Sequence, residues 1–391
     1  MKILKYPHPY KAWLSISNDP DNTTYNNWKE LNEFIWELLE LPFGDAFFIE
    51  NNNFNLPDQV CLKKNPEIIR KHFHDSMHFW GDYQHSRNKN FDREDAINCI
   101  KFLKENNINP TVWVDHSFHI ANIIHANGIG AKKQLIDASG IEYNNFQYTL
   151  DLVIEAGIKY IWGGNISKVI GQDRKIYYSE FLKSKKINVF KRFIYSLLKP
   201  FNFFKTIIPE DIFKNKQLWI NEFPDENKIY CFERHGTWED ANIDGLAKVI
   251  STQNINELIK NTGTSIIYTH LGKRKKERIK DKNHIPEETK NALIYLKDQY
   301  DKKELNLSPI STMLDYLIVR DNVTIDNKNK IVNFSSDGIR FKKLVYEDLA
   351  QHAFSFFSKN INAWKIVLNG EKTNYTITTS NNIHTITFND K

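Results

Sequence analysis

Cysteine is scarce in this chain of 391 residues: Cys61, Cys99 and Cys231 are all it has, and no two stand at a CxxC or other metal-ligand spacing. That excludes a disulfide framework and a zinc knuckle, and leaves three small side chains suited to a buried apolar setting. No apolar run reaches 18 residues, so no spanning helix is expected. The opening Met1-Lys-Ile-Leu-Lys-Tyr-Pro7 has neither an apolar h-region nor a small-residue cleavage site, which makes the cytoplasm the expected compartment. No nucleic-acid-binding motif accompanies the mild net charge of +5, so no nucleic-acid partner is expected. Internal repeats and low-complexity segments are also missing.

What the chain does have is apolar material, 41% of residues with 13% aromatic, enough for a sizeable core. It is distributed in a rhythm. Short apolar runs end in polar residues and are followed by helical patterns. The runs are Ala12–Ile16, Asp45–Glu50, Ser76–Asp82, Pro110–His116, Lys159–Asn165, Ile229–His235 and Ser265–His270. Helices are expected over Asn26–Leu41, Arg93–Asn106, Tyr148–Ala156, Ala241–Ile250, Ile255–Asn261, Glu287–Tyr300 and Ser311–Val319. Alternating β and α elements predict an α/β fold with a parallel sheet. Seven such units over residues 1–320 suit a parallel (β/α) barrel. After about Asp321 the composition changes to short alternating runs with turns at Asn369-Gly370 and Ser380–Asn382, which predicts a small C-terminal all-β domain over 321–391.

Phe181–Pro209 interrupts the rhythm. It carries seven Lys or Arg and no acid, with Ile187, Phe190, Ile194, Leu197 and Phe201 on one helical face. Two readings fit: a helix docked on the barrel with a solvated basic face, and an interfacial helix giving peripheral membrane contact through 183–208.

In parallel α/β barrels the chemistry sits at the C-terminal ends of the strands. Here those ends carry Asp, His and Arg where Lys, Ser or Gly would serve a plain loop. Asp19 and Asp21 stand one residue apart after the first strand. Two carboxylates so close call for a cation or a shared proton between them; an Asx-rich turn feeding the next helix is the plain alternative. Imidazole and carboxylate at His78 and Asp82 suit zinc or a similar divalent ion, with His74 as the alternative partner of His78. The roles follow: Asp19 as general base, Asp21 as metal ligand, His270 as proton donor to a leaving group, and Arg234 holding a carboxylate or an oxyanion. Asp115, His116, Trp162, His235 and Trp238 are candidate substrate contacts. His8 and His384 are expected at the surface.

The order Asp-x-Asp, then His-x3-acceptor, then a late His resembles the polysaccharide deacetylase superfamily (NodB homology, carbohydrate esterase family 4). The segments Ser17-Asn-Asp-Pro-Asp21, His78-Phe-Trp-Gly-Asp82, Trp162-Gly-Gly164, Arg234-His-Gly-Thr-Trp-Glu-Asp240 and Tyr268-Thr-His-Leu-Gly272 resemble a divergent subgroup associated with surface-polysaccharide biosynthesis. The resemblance covers about residues 10–275. It implies a distorted barrel of glycoside hydrolase/deacetylase type, zinc or another first-row metal on Asp21, His78 and Asp82, and removal of an acetyl group from an N- or O-acetylated sugar. From the expected compartment, that sugar would be nucleotide- or lipid-linked. The chain departs from the family pattern in having Asp82 for the second histidine and no arginine at the fourth strand, where Arg234 is the expected substitute. Two other functions share the fold: a glycoside hydrolase using Asp19 with Glu50 or Glu233, and a sugar-binding or scaffold protein without catalysis.

Overall fold

Residues Ala12–Asn18 form strand β1, with all seven side chains buried. A strand covered on both faces reads as a continuous apolar run rather than an alternation, which is why Ala12–Ile16 was legible. The strand runs two residues further than the apolar run because parallel neighbours flank it on both sides, pairing Asn18 with Thr269 and with Asp45. The computed structural model describes residues 1–71, 75–83, 91–115, 123, 135–136, 142–143, 148–174, 215–223, 226–274, 285–335 and 344–389. The expected insertion over 181–209 lies outside these residues, as do His72, His74, His116, His119 and His125.

Each of the other expected strands is present: β2 Gly44–Phe47, β3 Ser76–His78, β4 Val112–Val114, β5 Tyr160–Trp162, β6 Lys228–Phe232 and β7 Thr264–Thr269. With β1 they form a large, curled, mostly parallel half-barrel in the order β7-β1-β2-β3-β4-β5-β6. Leu305–Leu307 adds a further parallel pairing to β1, and Leu218–Glu222 an antiparallel one to β6. Just past β6, Arg234–His235 leaves that neighbourhood and pairs between β7 and Ile166–Ser167.

Eight α-helices accompany the sheet among the described residues: α1 Tyr25–Asn32, α2 Pro66–Lys71, α3 Arg93–Glu105, α4 Leu150–Glu155, α5 Ile243–Val249, α6 Thr252–Lys260, α7 Glu287–Asp301 and α8 Ile310–Asp321. Side-chain caps start several of them. Thr24 accepts the Asn27 N–H, Asn242 accepts the Gly245 N–H, and Asp92 and Asp95 form a reciprocal capping box. The helix expected over Asn26–Leu41 begins as α1 but widens into a π-helical turn at Glu33–Leu38. The wider turn shifts the phase, so Leu38, which regular 3.6-residue spacing from the buried Leu31 and Ile35 would put on their face, is 69% exposed. Ile97 on α3 is likewise more open than its 3.6-residue spacing predicts. No helix among the described residues is long and apolar enough to cross a membrane.

Seven strands from the described residues between Val323 and Phe388 belong to two four-stranded sheets, and Lys2–Ile3 completes one of them by pairing with Phe356–Phe357. These sheets share one core with the half-barrel. Phe334, Phe354 and Phe388 pack together, and Phe354 stacks on Tyr316 of α8, with ring centroids 5.1 Å apart. Tyr316 in turn meets Trp13 at the start of β1. The C-terminal β structure therefore covers the N-terminal ends of the strands, the end opposite Asp19. His384, expected at the surface, is buried between the two partners of its ring nitrogens, Thr379 Oγ1 and the Ser358 carbonyl, both at 2.9 Å.

His352 lies in this junction, close to Tyr316 and Phe354. Burial, aided by Lys159, pulls its pKa down to about 4. The folded state holds the neutral ring, so this contribution to stability is complete above the unfolded pKa near 6.5 and is lost as pH falls toward 4. The full effect is about 3 kcal/mol; His235, also pulled down to about 4 by burial, adds in the same direction. Urea unfolding at pH 7 and pH 4.5 should show that His352→Phe loses part of the wild-type pH dependence; an unchanged dependence would contradict the assignment.

Candidate metal centre

The last ladder bond between β1 and β7 runs from the Asp19 N–H to the Thr269 carbonyl, at 2.9 Å. It fixes Asp19 at the sheet's C-terminal end, where its side chain has no solvent exposure. Arg234, also fully buried, donates to both carboxylate oxygens: Nη1 to Oδ2 at 2.9 Å and Nη2 to Oδ1 at 3.1 Å. Nη2 also reaches Ser17 Oγ at 2.7 Å. The guanidinium lies 4.0 Å over the Trp162 ring and 5.2 Å from that of Tyr268. Burial alone would raise the Asp19 pKa, but Arg234, then His78 and His270, outweigh it and hold the carboxyl below its usual range.

Asp21 is the meeting point. Its Oδ2 lies 3.0 Å from His270 Nε2, 3.5 Å from His78 Nε2 and 3.6 Å from Lys273 Nζ. Against the upward push of burial, Lys273 and the two imidazoles drive its pKa well down. Ligand atoms of Asp19, Asp21 and His78 all lie within 4.8 Å of one another. His78, at the end of β3, is clamped between Phe48 and Phe79. His270 Nδ1 stands 2.9 Å from the Ala241 carbonyl, an acceptor that requires the proton on Nδ1 and aims Nε2 at Asp21. Burial, then Lys273, lowers the His270 pKa in spite of Asp21.

The structure does not bring Asp82 into this group. Phe79 adopts φ +53°, a left-handed conformation unusual for a bulky residue, so the chain leaves the β3 direction immediately after His78. Gly81–Asp82 then pairs with Glu50–Asn51, and Asp82 Oδ2 accepts hydrogen bonds from Asn53 Nδ2 and Gln59 Nε2. Asp115 accepts the Ile123 N–H, and His116 lies outside the described residues. Trp162 is wholly buried beneath Arg234, so it supports that residue and offers no face to a ligand from solvent. Trp238, 55% exposed, stands edge-on to Tyr268, whose hydroxyl is 3.4 Å from His270 Nε2; it is the aromatic at the rim. His235 is buried with Nδ1 3.1 Å from the Ser167 carbonyl. Glu50 is engaged by Tyr83 and Lys63, away from Asp19.

Two residues that carry the site had not been read as functional. Asn18 Nδ2 donates to Asp45 Oδ1, Trp28 Nε1 donates to Asp45 Oδ2, and Asn18 Oδ1 accepts the Leu271 N–H at 2.7 Å. Asn18 thus ties the residue after His270 to the residue before Asp19. Burial pushes the Asp45 pKa up to about 6 despite these bonds. The available signal was an amide at the last position of an otherwise apolar strand. Compared with family models, curated proteins and solved structures, the chain matches none.

Removing one partner of a buried ion pair leaves the other charge uncompensated, at a cost of about 3–5 kcal/mol. Arg234→Ala should lose stability on this scale in urea unfolding. Arg234→Lys should also lose stability, since one ammonium cannot span both oxygens of Asp19. A loss under about 1 kcal/mol in Arg234→Ala would contradict the pairing.

Proposed function

We propose that the protein is a metal-dependent hydrolase that removes an acetyl group from an N- or O-acetylated sugar, in the manner of the polysaccharide deacetylases. The observation that carries the reading is the convergence of His78 and His270 on Asp21, beside an Asp19 whose two oxygens are both fixed by Arg234. The sheet reads as the distorted seven-stranded barrel of that class: the run 228–235 pairs with β5 through its first part and with β7 through its second, linking the two ends of the strand order.

The donor set fits a divalent ion. Asp21 Oδ2 is buried without a hydrogen bond of good geometry, and carboxylate with imidazole is a donor combination suited to zinc. Asp21 and His78 would hold it, with Asp19 alongside; when bound it supplies Lewis-acid polarisation of a carbonyl and acidifies water. Arg234 keeps Asp19 ionised and fixes its orientation for taking a proton from the attacking water. The same pairing lowers the basicity of Asp19, so its contribution is largely one of position. His270, held by Ala241 at Nδ1, presents Nε2 to the leaving amine or alcohol. Because the Nδ1 proton is committed to Ala241, Nε2 donates only from the imidazolium form, which the depressed pKa makes a stronger acid than a free imidazolium. Trp238 at the rim offers an apolar face to a sugar ring. The sugar is nucleotide- or lipid-linked in this reading.

A catalytically silent sugar-binding protein is the second reading. The observation that favours it is the engagement of both oxygens of Asp19 by Arg234, which leaves little freedom for proton transfer. Metal analysis and acetate release from acetylated oligosaccharides separate the two. The hydrolase reading predicts stoichiometric metal that is lost in Asp21→Ala and His78→Ala. It also predicts acetate release falling at least about 100-fold in Asp19→Asn, which should retain the metal. Metal without acetate release supports the silent reading, and a wild type that takes up no metal contradicts the metal centre.

A further inference from the structure

We infer that Lys273 is the built-in counter-cation of Asp21 and competes with a divalent ion for that carboxylate. The inference rests on the metal-centre reading and adds a residue that sets the affinity of the site. Its basis is the placement of charge. Two carboxylates, Asp19 and Asp21, face two permanent cations: Arg234 on Asp19 at 2.9 Å, and Lys273 with Nζ 3.6 Å from Asp21 Oδ2. Among these four side chains the charges already balance. A divalent ion on Asp21 and His78 would add two charges beside an ammonium that approaches the same oxygen, and the two cations would repel strongly in this partly buried setting.

The chain builds this approach into its backbone. A Cβ on Gly272 would fall 1.9 Å from Thr23 Oγ1 and 2.7 Å from Thr23 Cβ, so glycine allows the turn after His270 to lie against the segment after Asp21. The Lys273 N–H donates to the His270 carbonyl at 3.2 Å, and its own carbonyl accepts the Ile243 N–H at 3.0 Å. The backbone is therefore anchored on both sides while the side chain, 29% exposed, has a path to water. Arriving metal displaces the ammonium into solvent without unfolding the turn. The neighbouring Arg274 faces Asp244, 3.7 Å away, and is not the competing charge.

The test is calorimetric titration of the metal-free full-length chain with Zn2+, comparing wild type with Lys273→Met, Lys273→Arg and Lys290→Met. Lys273→Met should bind at least about tenfold more tightly than wild type. Lys273→Arg, which keeps the charge, should bind no more tightly than wild type. Lys290→Met removes a charge that faces Glu287 rather than Asp21 and should match wild type. Thermal unfolding gives a second readout: metal-free Lys273→Met should melt below wild type, and its gain in melting temperature on adding Zn2+ should be the larger. Equal affinities within about twofold, or weaker binding by Lys273→Met, would overturn the competition while leaving the metal centre standing. Absence of Zn2+ binding in both wild type and Lys273→Met would overturn the metal-centre reading and this inference together.

Discussion

A buried ion pair, Arg234 with Asp19, is the constraint around which the site is arranged. Neither side chain has solvent exposure, so each charge depends on the other to remain in the interior. The guanidinium satisfies both carboxylate oxygens and Ser17, and its faces are covered by Trp162 and Tyr268. Because Asp19 ends β1 and Arg234 follows β6, the pair also ties together two strands that are distant in sequence. A hydrophobic pair of similar volume would hold those strands as well or better. What the charge adds is its effect on Asp19, whose carboxyl it holds below its usual pKa and in one orientation.

The rest of the site is built from neighbouring strand ends. His78 arrives on β3, His270 on β7 and Asp21 in the turn after Asp19. Asn18 then bonds to Asp45 and to the Leu271 N–H, which links β1, β2 and the turn after β7 by hydrogen bonds. The His78 ring packs against Phe48 and His270 Nδ1 meets the Ala241 carbonyl, which places both imidazoles beside Asp21. Lys273 differs: its backbone is anchored, while its side chain, paired with Asp21, keeps a path to solvent. A site with one movable cation among fixed groups can be charge-balanced in more than one state.

Much of the fold was legible because strands buried on both faces leave unbroken apolar runs, and all seven such runs became strands of one sheet. Part of the candidate site was legible for the same reason: Asp19, Asp21 and His78, which the fold brings together, interrupt those runs with groups that a plain loop does not need. Local period failed where the backbone departed from ideal geometry. Asp82 stands at a reasonable ligand spacing from His78, but the left-handed turn at Phe79 redirects it to Asn53 and Gln59. Leu38 was misplaced by a π-helical turn that the 3.6-residue pattern does not encode. Asn18 and Asp45 escaped notice because an amide or acid at a strand terminus reads as turn chemistry, and their partners lie across the sheet or in another loop. Trp162 was read as a substrate contact from its place at a strand end, whereas only the packed structure shows it buried beneath Arg234.

A divalent ion held by Asp21 and His78 would lie beside the Asp19–Arg234 pair. Anomalous diffraction at the zinc absorption edge, from crystals of the 391-residue chain grown with Zn2+, locates such an ion. One strong peak is expected about 2.0–2.2 Å from both the Asp21 carboxylate and His78 Nε2, with Arg234 still paired to Asp19. A map with no peak at that position, or with the ion held elsewhere in the chain, would contradict this placement.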